Sequence, residues 1–374
     1  MKCRHFGACG SCTLYKLDYE KQLERKAERL RGLLAPFYDG EIERFASPDS
    51  HYRARAEFRI WHEGGRADYA MGNLSKDGNV IIEECPKVIR PVEERMEPLL
   101  EAVNASPVLS RKLFGVEFLA ATTGECLITM LYHRPLDESW AREARALEEQ
   151  LNASIIGRAR KQKVVLSREF VTEELEIDSK KYKYRHYEGG FTQPNPYVNT
   201  RMIAWARERA AEAGGGDLLE AYCGLGNFTI PLAENFSKVL ATEISKNSIK
   251  AAKENCALNG VENIEFVRLS SEEMTSALRK ERQFNRLKGI NIDEYDFKCV
   301  LVDPPRAGLD EATRELITTF ENIIYISCNP ETLARDLERL SQSHEVHAAA
   351  SFDQFPHTEH LESGVFLQRR QINP

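Results

Sequence analysis

The spacing of apolar residues predicts a strand-rich first half of the chain and an alternating second half. Over residues 23–34, apolar side chains recur at intervals of three and four, which is the stripe of an amphipathic helix. Residues 51–61 instead alternate with a period of two, and the turn signal Gly64-Gly65 follows them. We therefore expect residues 50–135 to be mainly strand and residues 137–152 to be helical.

Beyond Gly190, short apolar runs alternate with segments of helical periodicity. That alternation is typical of βαβ units on a parallel sheet. Strands are predicted at 217–222, 238–243, 263–267, 298–302 and 322–327, and helices at 196–213, 227–235, 246–258, 310–320 and 331–340.

These patterns predict an α/β protein with a boundary near Gly189. Residues 190–374 would form a Rossmann-like domain, and residues 16–189 would form a central α+β domain rich in antiparallel strands. Residues 1–15 would form a separate segment that carries three cysteines. The length of 374 residues suits two or three domains of ordinary size.

The charge composition of the chain limits the kinds of nucleic-acid binding that we expect. The chain has 51 Lys+Arg and 58 Asp+Glu, a net charge of −7, which argues against indiscriminate binding to any nucleic-acid duplex. A basic stretch at residues 158–185 is a local exception, although it also fits a solvated strand face.

We expect no membrane association, since no apolar run approaches about 18 residues. Without a secretory signal, the nine cysteines are expected to be reduced in the cytoplasm.

A glycine loop follows the first predicted strand of the second half. Residues 217–228 form a strand, a tight turn with Gly224 and Gly226, and a helix start. The dinucleotide fingerprint needs a third glycine where this chain has Thr229, so a pyrophosphate ligand is disfavoured. Glu243 ends the next strand, where a carboxylate can accept hydrogen bonds from ribose hydroxyls. The loop fits a nucleoside such as S-adenosylmethionine, and an ordinary βα turn is the alternative.

Two later predicted strands end in residues whose side chains can bind a ligand or act as a nucleophile. Asp303-Pro304-Pro305-Arg306 closes one strand, because neither proline can donate a backbone hydrogen bond. Cys328 closes the next strand. Ligands bind at the carboxyl ends of strands in open α/β sheets, so Cys328 is a candidate nucleophile, with buried packing as the alternative.

Three N-terminal cysteines have the close spacing of metal ligands. They are Cys3, Cys9 and Cys12, and Cys85 before Pro86 would complete a set of four. Four thiolates suit zinc or an iron–sulfur cluster, and spacing alone does not separate the two. Unrelated surface or core thiols are the third interpretation. The cysteines predicted to be core thiols are Cys126, Cys223, Cys256 and Cys299.

Five ordered motifs in the second half together resemble those of the RNA uracil-C5 methyltransferases. They are residues 191–195, the glycine loop, Asp303-Pro304-Pro305-Arg306, residues 327–330 and residues 360–365. Residues 51–62 and 284–290 resemble the branch that methylates the T-loop uridine of tRNA, at position 54 in tRNA numbering. Members of that branch lack the oligonucleotide-binding (TRAM) barrel of some rRNA-specific relatives. We expect no such barrel here, since the cysteine segment begins at residue 3.

The resemblance implies a role for each motif. The Cys328 thiolate would add to C6 of uracil, which makes C5 nucleophilic towards the methyl group of S-adenosylmethionine. Glu362 would be the general base that removes the C5 proton before the thiol leaves. The positions that match the family's contacts to S-adenosylmethionine are Gln193, Tyr222, Asn227, Glu243 and Asp303.

The resemblance also bears on the cysteine segment and on the substrate. The spacing of Cys3, Cys9 and Cys12 with a distant Cys85 is similar to the [4Fe-4S] site of many family members. Some tRNA-specific members have lost that site, so its presence here departs from their pattern. The T-arm of tRNA is the expected substrate, with tmRNA as a second one. A 23S rRNA loop, an RNA-folding or RNA-binding protein with incidental methylation, and a cluster-based redox protein are the alternatives.

The target base must leave its stack to be methylated. Phe114, which follows two basic residues, is predicted to wedge into the vacated space, and a core phenylalanine is the alternative. Arg53, Arg55 and Arg59 are predicted to contact phosphates.

Overall fold

The computed structural model of the protein describes residues 1–371, and within that range the strands form three sheets. The α-helices are α1 (Tyr19–Leu34), α2 (Arg90–Ala105), α3 (Pro107–Ser110), α4 (Glu138–Leu151), α5 (Pro196–Glu212), α6 (Thr229–Leu232), α7 (Lys246–Leu258), α8 (Ser271–Leu278), α9 (Glu311–Ile317) and α10 (Pro330–Leu340). The strands are β1 (Ile42–Phe45), β2 (Arg55–Glu63), β3 (Arg66–Gly72), β4 (Asn79–Ile81), β5 (Leu113–Ala120), β6 (Cys126–Tyr132), β7 (Ser154–Ala159), β8 (Gln162–Val165), β9 (Phe170–Ile177), β10 (Lys180–Tyr187), β11 (Asp217–Ala221), β12 (Val239–Thr242), β13 (Ile264–Val267), β14 (Phe297–Val302), β15 (Asn322–Ser327), β16 (His344–Phe352) and β17 (Glu362–Arg369).

The largest sheet has the strand order β1-β16-β17-β15-β14-β11-β12-β13. The pairs from β15 to β13 are parallel, as the alternating pattern predicts. Strand β14 shows why these strands are apolar throughout: Cys299 and Leu301 face one hydrophobic core, and Val300 and Val302 face the other. Strand β17 runs antiparallel between β15 and β16, a feature that the sequence pattern does not predict.

Helix α1 and strand β1 also belong to this sheet, although the sequence assigns residues 16–189 to the central domain. Strand β1 pairs in parallel with β16. Leu30 and Leu34 of α1 are fully buried in the same apolar cluster as Leu337 of α10. The apolar stripe of α1 therefore packs on the C-terminal sheet, and the predicted boundary does not describe residues 19–45.

The second sheet has the strand order β4-β3-β2-β5-β6-β7-β8. Its pairs are antiparallel except β6 with β7, which helix α4 connects. This region is therefore an α+β unit rich in antiparallel strands. None of the helices described within residues 1–371 combines the length and the apolar character that a membrane crossing requires.

Helix α2 corrects the prediction that residues 50–135 are mainly strand. Its buried residues Val92, Met96, Leu99 and Val103 follow the helical spacing. Two prolines obscure this pattern in the sequence. One of them lies in the first turn, where its missing N–H group has no helical partner to lose.

Strands β9 and β10 form a separate hairpin that packs on α5 and α7. Asp178 and Ser179 at its turn both have positive φ, as a type I′ turn requires. Basic residues of the 158–185 stretch are ion-paired, for example Arg158 of β7 with Glu188 at 2.6 Å. The predicted core thiols Cys126, Cys223, Cys256 and Cys299 are buried.

Candidate active site at the carboxyl ends of the strands

The glycine loop between β11 and α6 holds Glu243 beside it. The φ angles of Gly224 and Gly226 are +56° and +88°, in the region that favours glycine. The N–H of Gly224 donates to one carboxylate oxygen of Glu243 at 3.2 Å. The N–H of Ser245 donates to the other oxygen at 2.7 Å. The carboxylate at the end of β12 is therefore fixed next to the loop, where a ribose-binding acid has to lie.

Three other predicted cofactor residues lie around this loop or before α5. Asn227 exchanges two hydrogen bonds with the amide of Asn199 in α5, at 2.8 and 2.9 Å. Tyr222 donates to Oγ of Ser271 at 2.7 Å and has a φ of +64°. That left-handed backbone costs about 1 kcal/mol or more in a bulky residue, and such strain is concentrated at ligand sites. Gln193 is half-buried just before α5.

Two apolar side chains next to predicted cofactor residues in the sequence are exposed. Ile244, directly after Glu243, is 66% exposed, and Phe191, two residues before Gln193, is 70% exposed. Ile244 follows the carboxyl end of β12, where a large apolar side chain is available to cover the face of a bound base. The sequence analysis includes Phe191 in a motif but does not single out Ile244, whose only signal is an apolar residue where a polar loop is expected.

The strand register brings Cys328 and Glu362 together. In the antiparallel pair of β15 and β17, Ser327 is paired with Ser363, and extending the register by one position sets Cys328 opposite Glu362. Cα atoms opposite each other in such a pair are roughly 5 Å apart. Asp303 follows the neighbouring strand β14 at the same edge. Glu362 is buried, which excludes the surface carboxylate that its residue type alone suggests.

Burial governs the charge of these three groups. It raises the pKa of Asp303 to about 7. It also raises the pKa of Glu362 well above its usual range, and the nearby Asp303 adds to this. The pKa of the Cys328 thiol is raised to about 11 by burial and then by Glu362 and Asp303, while Arg306 opposes the shift. At neutral pH the free protein therefore holds Cys328 as a thiol, and a positively charged ligand beside the three groups would favour their ionised forms.

The three N-terminal cysteines and Cys85 line one cavity of about 380 Å³, together with Arg53 and Lys87. The segment that carries three of them is held against β3, with the N–H of Gly10 donating to Gly72 O at 2.9 Å. The pKa of Cys12 is raised to about 11, mainly by burial, and Cys85, Cys9 and Cys3 contribute. Among residues 1–371, however, no group of three or more His, Cys, Asp or Glu side chains is placed to hold a single metal ion.

The predicted RNA-contacting residues lie in different surroundings. Phe114 is 38% exposed and stacks on His133, with ring centroids 3.9 Å apart. Arg59 is exposed. Arg55 donates to Gly190 O at 2.6 Å. Arg53 and Arg59 both line the cysteine cavity, but Arg53 is half-buried there. The prediction of a phosphate contact therefore suits Arg59 better than Arg53.

The model of a protein family described as tRNA (Uracil-5-)-methyltransferase matches residues 18–370 of this chain. The chain belongs to this family. A relative from a Sulfurovum species, named tRNA/tmRNA (uracil-C(5))-methyltransferase, is 66% identical over 371 residues, which are 99% of this chain and 100% of the relative. A relative of the same name from a Nitratiruptor species is 54% identical over 372 residues, again 99% and 100% of the two chains.

A solved structure shares the fold. It is the Pyrococcus abyssi tRNA (uracil-54, C5)-methyltransferase in complex with S-adenosyl-L-homocysteine, with a TM-score of 0.74 and 24% identity, covering 96% of this chain and 85% of that one. The chain thus shares the mixed α/β fold of that structure. The resemblance to RNA uracil-C5 methyltransferases, and with it the prediction of an enzyme, is confirmed.

Proposed function

We propose that the protein methylates C5 of the T-loop uridine, position 54, of tRNA through a covalent bond between Cys328 and C6 of the base. The observation that carries this proposal is the register that sets Cys328 opposite Glu362, with Asp303 at the same edge. The name of the Sulfurovum and Nitratiruptor relatives supports tRNA as the substrate and tmRNA as a second one.

Cys328 starts the reaction as a thiolate. Its sulfur adds to C6, and the electron pair of the C5=C6 bond moves towards C5 and the O4 carbonyl. C5 thereby becomes the nucleophile that a neutral uracil lacks. S-adenosylmethionine supplies the methyl group as a sulfonium, whose positive charge also favours the ionised forms of Cys328, Asp303 and Glu362.

Glu362 ends the reaction as a base. Once C5 carries both the methyl group and its original proton, the ionised carboxylate of Glu362 takes that proton. The C–H electron pair restores the C5=C6 bond, and the C6–S electron pair leaves with Cys328 as a thiolate. A position directly across the strand pair from Cys328 suits this step, because both groups have to reach adjacent carbons of one ring.

The residues around the glycine loop would bind the methyl donor. Glu243 would accept hydrogen bonds from the ribose hydroxyls, and its carboxylate is already oriented by Gly224 and Ser245. Tyr222 and Asn227 are also held in place by hydrogen bonds, which lowers the entropy lost on binding. Phe191 and Ile244, with Gln193, would line the space for the nucleobase.

The test is an RNA T-arm that carries 5-fluorouridine at position 54, incubated with S-adenosylmethionine. Fluorine cannot leave C5 as a proton does, so the adduct should persist on denaturation and map to Cys328 by peptide mass spectrometry. Cys328→Ser should form none. Cys256→Ser, whose hydroxyl can keep the bond that the thiol makes to Val261 O, is the matched control and should trap RNA normally. An adduct on another residue, or one formed only with rRNA fragments, would contradict the proposal.

For the cysteine cavity, we propose a [4Fe-4S] cluster held by Cys3, Cys9, Cys12 and Cys85. All four thiols border one space, and that space is larger than a single ion needs. A cluster keeps its thiolates further apart than zinc does, which agrees with four thiols that share a cavity but form no single-ion site within the described chain. The cluster would tie residues 1–12 to the segment that follows β4.

Metal analysis of protein purified without oxygen tests this assignment. We expect about four iron and four sulfide per chain with broad visible absorbance, and loss of both in Cys85→Ser. Cys126→Ser, in the core of the same sheet, is the control and should keep its iron. A colourless preparation with about one zinc per chain would contradict the cluster.

A further inference from the structure

A buried ion pair joins the first helix to the segment that leads into Glu362. Lys26 of α1 donates to Oδ1 of Asp353 at 2.6 Å and to Phe355 O at 3.0 Å. Both charged side chains are only 2% exposed. Taking two charges out of water is costly, so a pair buried to this extent is poorly explained by stability alone.

The segment 353–361 connects β16 to β17 and ends next to Glu362. Gln22, Lys26 and Arg29 are spaced by four and three residues, so they lie on one face of α1. Gln22 accepts from the N–H of His357 at 2.8 Å, and Arg29 donates to Glu359 O at 2.9 Å. One face of α1 therefore contacts segment 353–361 along its length. Lys26 lies between Gln22 and Arg29 on that face.

The first residues of segment 353–361 also form hydrogen bonds with residues outside α1. The N–H of Asp353 donates to Phe45 O at 3.0 Å, at the end of β1. The fully buried Gln354 accepts from the N–H of Asn195 at 3.1 Å, two residues after Gln193. The segment thus spans the distance between the proposed donor-binding residues and the proposed base, and Lys26 neutralises its one buried carboxylate.

We propose that Lys26 is a positioning residue that sets the place of the Glu362 carboxyl through segment 353–361. Lys26 then affects the removal of the C5 proton, which Glu362 performs, and leaves the attack of Cys328 on C6 unchanged. This inference rests on the proposed function, in which the two steps belong to different residues.

A positioning role for Lys26 predicts that loss of the ion pair slows only the decay of the adduct. A role in general stability predicts that adduct formation and decay slow together. Lys26→Met alone leaves Asp353 buried without a partner, which is costly enough to unfold the protein. The informative variant is Lys26→Met with Asp353→Asn, which removes both charges and keeps both side-chain volumes. Arg25→Met is the matched control, because its pair with Glu359 joins the same helix and segment but is exposed.

The measurement is a single-turnover time course with unmodified tRNA, quenched in denaturant, that follows protein–RNA adduct and methylated uridine separately. For the double variant we expect adduct to form at the wild-type rate and to decay at least about tenfold more slowly, since small displacements of a catalytic group cost up to about 10²-fold. Arg25→Met should behave as wild type, and circular dichroism should show all variants folded.

Glu362→Gln separates failure of this inference from failure of the proposed function. If Glu362→Gln accumulates no adduct, the assignment of the base is wrong. If Glu362→Gln accumulates adduct but the folded double variant turns over like wild type, Lys26 has no positioning role. Equal slowing of adduct formation and decay in the double variant would also overturn the inference, because it would show a general loss of structure.

Discussion

Cys328 directly follows Ser327, the last residue of β15, and Glu362 directly precedes Ser363, the partner of Ser327 in β17, so the antiparallel pair brings the thiol and the carboxyl close together. Strand β15 is otherwise part of a parallel sheet, so β17 is the strand that brings an acid to the same edge as the thiol. The two proposed catalytic groups thus lie at the ends of one pair of strands, at the same edge of the sheet.

Replacing Glu362 with Gln should separate methyl transfer from turnover. The amide cannot take the C5 proton, so we expect adduct with natural tRNA to accumulate and steady-state turnover to fall by about 10²- to 10⁴-fold. Gel electrophoresis under denaturing conditions measures the adduct, and release of tritium from C5-labelled uridine measures turnover. Glu359→Gln, an exposed acid three residues earlier, is the control. Turnover within a factor of two of wild type in Glu362→Gln would remove Glu362 from the reaction.

The raised pKa of Cys328 should make its thiol react slowly with an alkylating reagent at neutral pH. With a pKa of about 11 instead of 9, the thiolate fraction of the free protein at pH 8 is about a hundredfold smaller than that of an ordinary cysteine. We expect alkylation of Cys328 by iodoacetamide, followed by mass spectrometry of its peptide, to rise with pH up to at least 10. The same cysteine in urea-unfolded protein is the reference and should react much faster at pH 8. A midpoint near pH 8 in the folded protein would contradict the burial argument.

Asp303 should lower the stability of the protein as the pH rises. Its folded pKa of about 7 lies above the value of 3.8 in the unfolded chain, so the folded state holds the proton more tightly. That contribution is fully present below about pH 4 and is lost as the pH rises through 7. Asp303→Asn, which never ionises, should therefore gain stability relative to wild type by roughly 2 kcal/mol between pH 5 and pH 8.

Urea unfolding at the two pH values measures this difference. Asp310→Asn is the control for removing a carboxylate at the same edge of the sheet. A stability difference between Asp303→Asn and wild type that is constant with pH would show that Asp303 is not desolvated in solution. The same variant should bind S-adenosylmethionine more weakly, because the ionised carboxyl is proposed to face the cation.

The edge position of Asp303 and Cys328 could be predicted because both follow apolar runs in an alternating βα pattern, and the carboxyl ends of parallel strands meet at one edge. Glu362 could not be placed in this way. It begins an antiparallel strand, so its position depends on pairing with a strand 35 residues away in the sequence. Only the resemblance to a known family assigned it.

Three other features of the fold could not be predicted from the sequence, each for a different reason. Strand β1 has four residues, too few for a periodic pattern, and it is held by pairing with β16 at the far end of the chain. Helix α2 was obscured by its prolines. Lys26 reads as an ordinary charged residue on an amphipathic helix, because its partner Asp353 is remote in sequence. Features that depend on long-range pairs cannot be predicted from local sequence, whereas features of local periodicity can be, except where prolines interrupt the pattern as in α2.

Arg59 and Arg53 should differ in their effect on tRNA binding. Arg59 is exposed, so replacing it with Ala should lower the slope of log K against log salt by about 0.7 to 0.9 for one lost phosphate contact. Both arginines line the cysteine cavity, but Arg53 is only partly exposed, so Arg53→Ala should change the slope less than Arg59→Ala does. Filter binding at several salt concentrations measures the slope. Equal changes of slope in the two variants would contradict the difference in their surroundings.

We expect the Phe114–His133 stack to help open the T-loop of the tRNA. Its rings are 3.9 Å apart and nearly parallel, and Phe114 is partly exposed, so a base can continue the stack. Loss of one base–aromatic stack is worth about 1–3 kcal/mol, so Phe114→Ala should lower kcat/KM on folded tRNA by roughly five- to a hundredfold.

The loss should be smaller on a short, unstructured RNA, in which the uridine is already unstacked. Leu258→Ala, an equally exposed apolar residue on α7, is the control and should keep the wild-type rate on both RNAs. A methyl-transfer assay with the two substrates gives the ratio of rates. If Phe114→Ala has the same rate as wild type on folded tRNA, or loses the same factor on both RNAs, Phe114 does not act as a wedge.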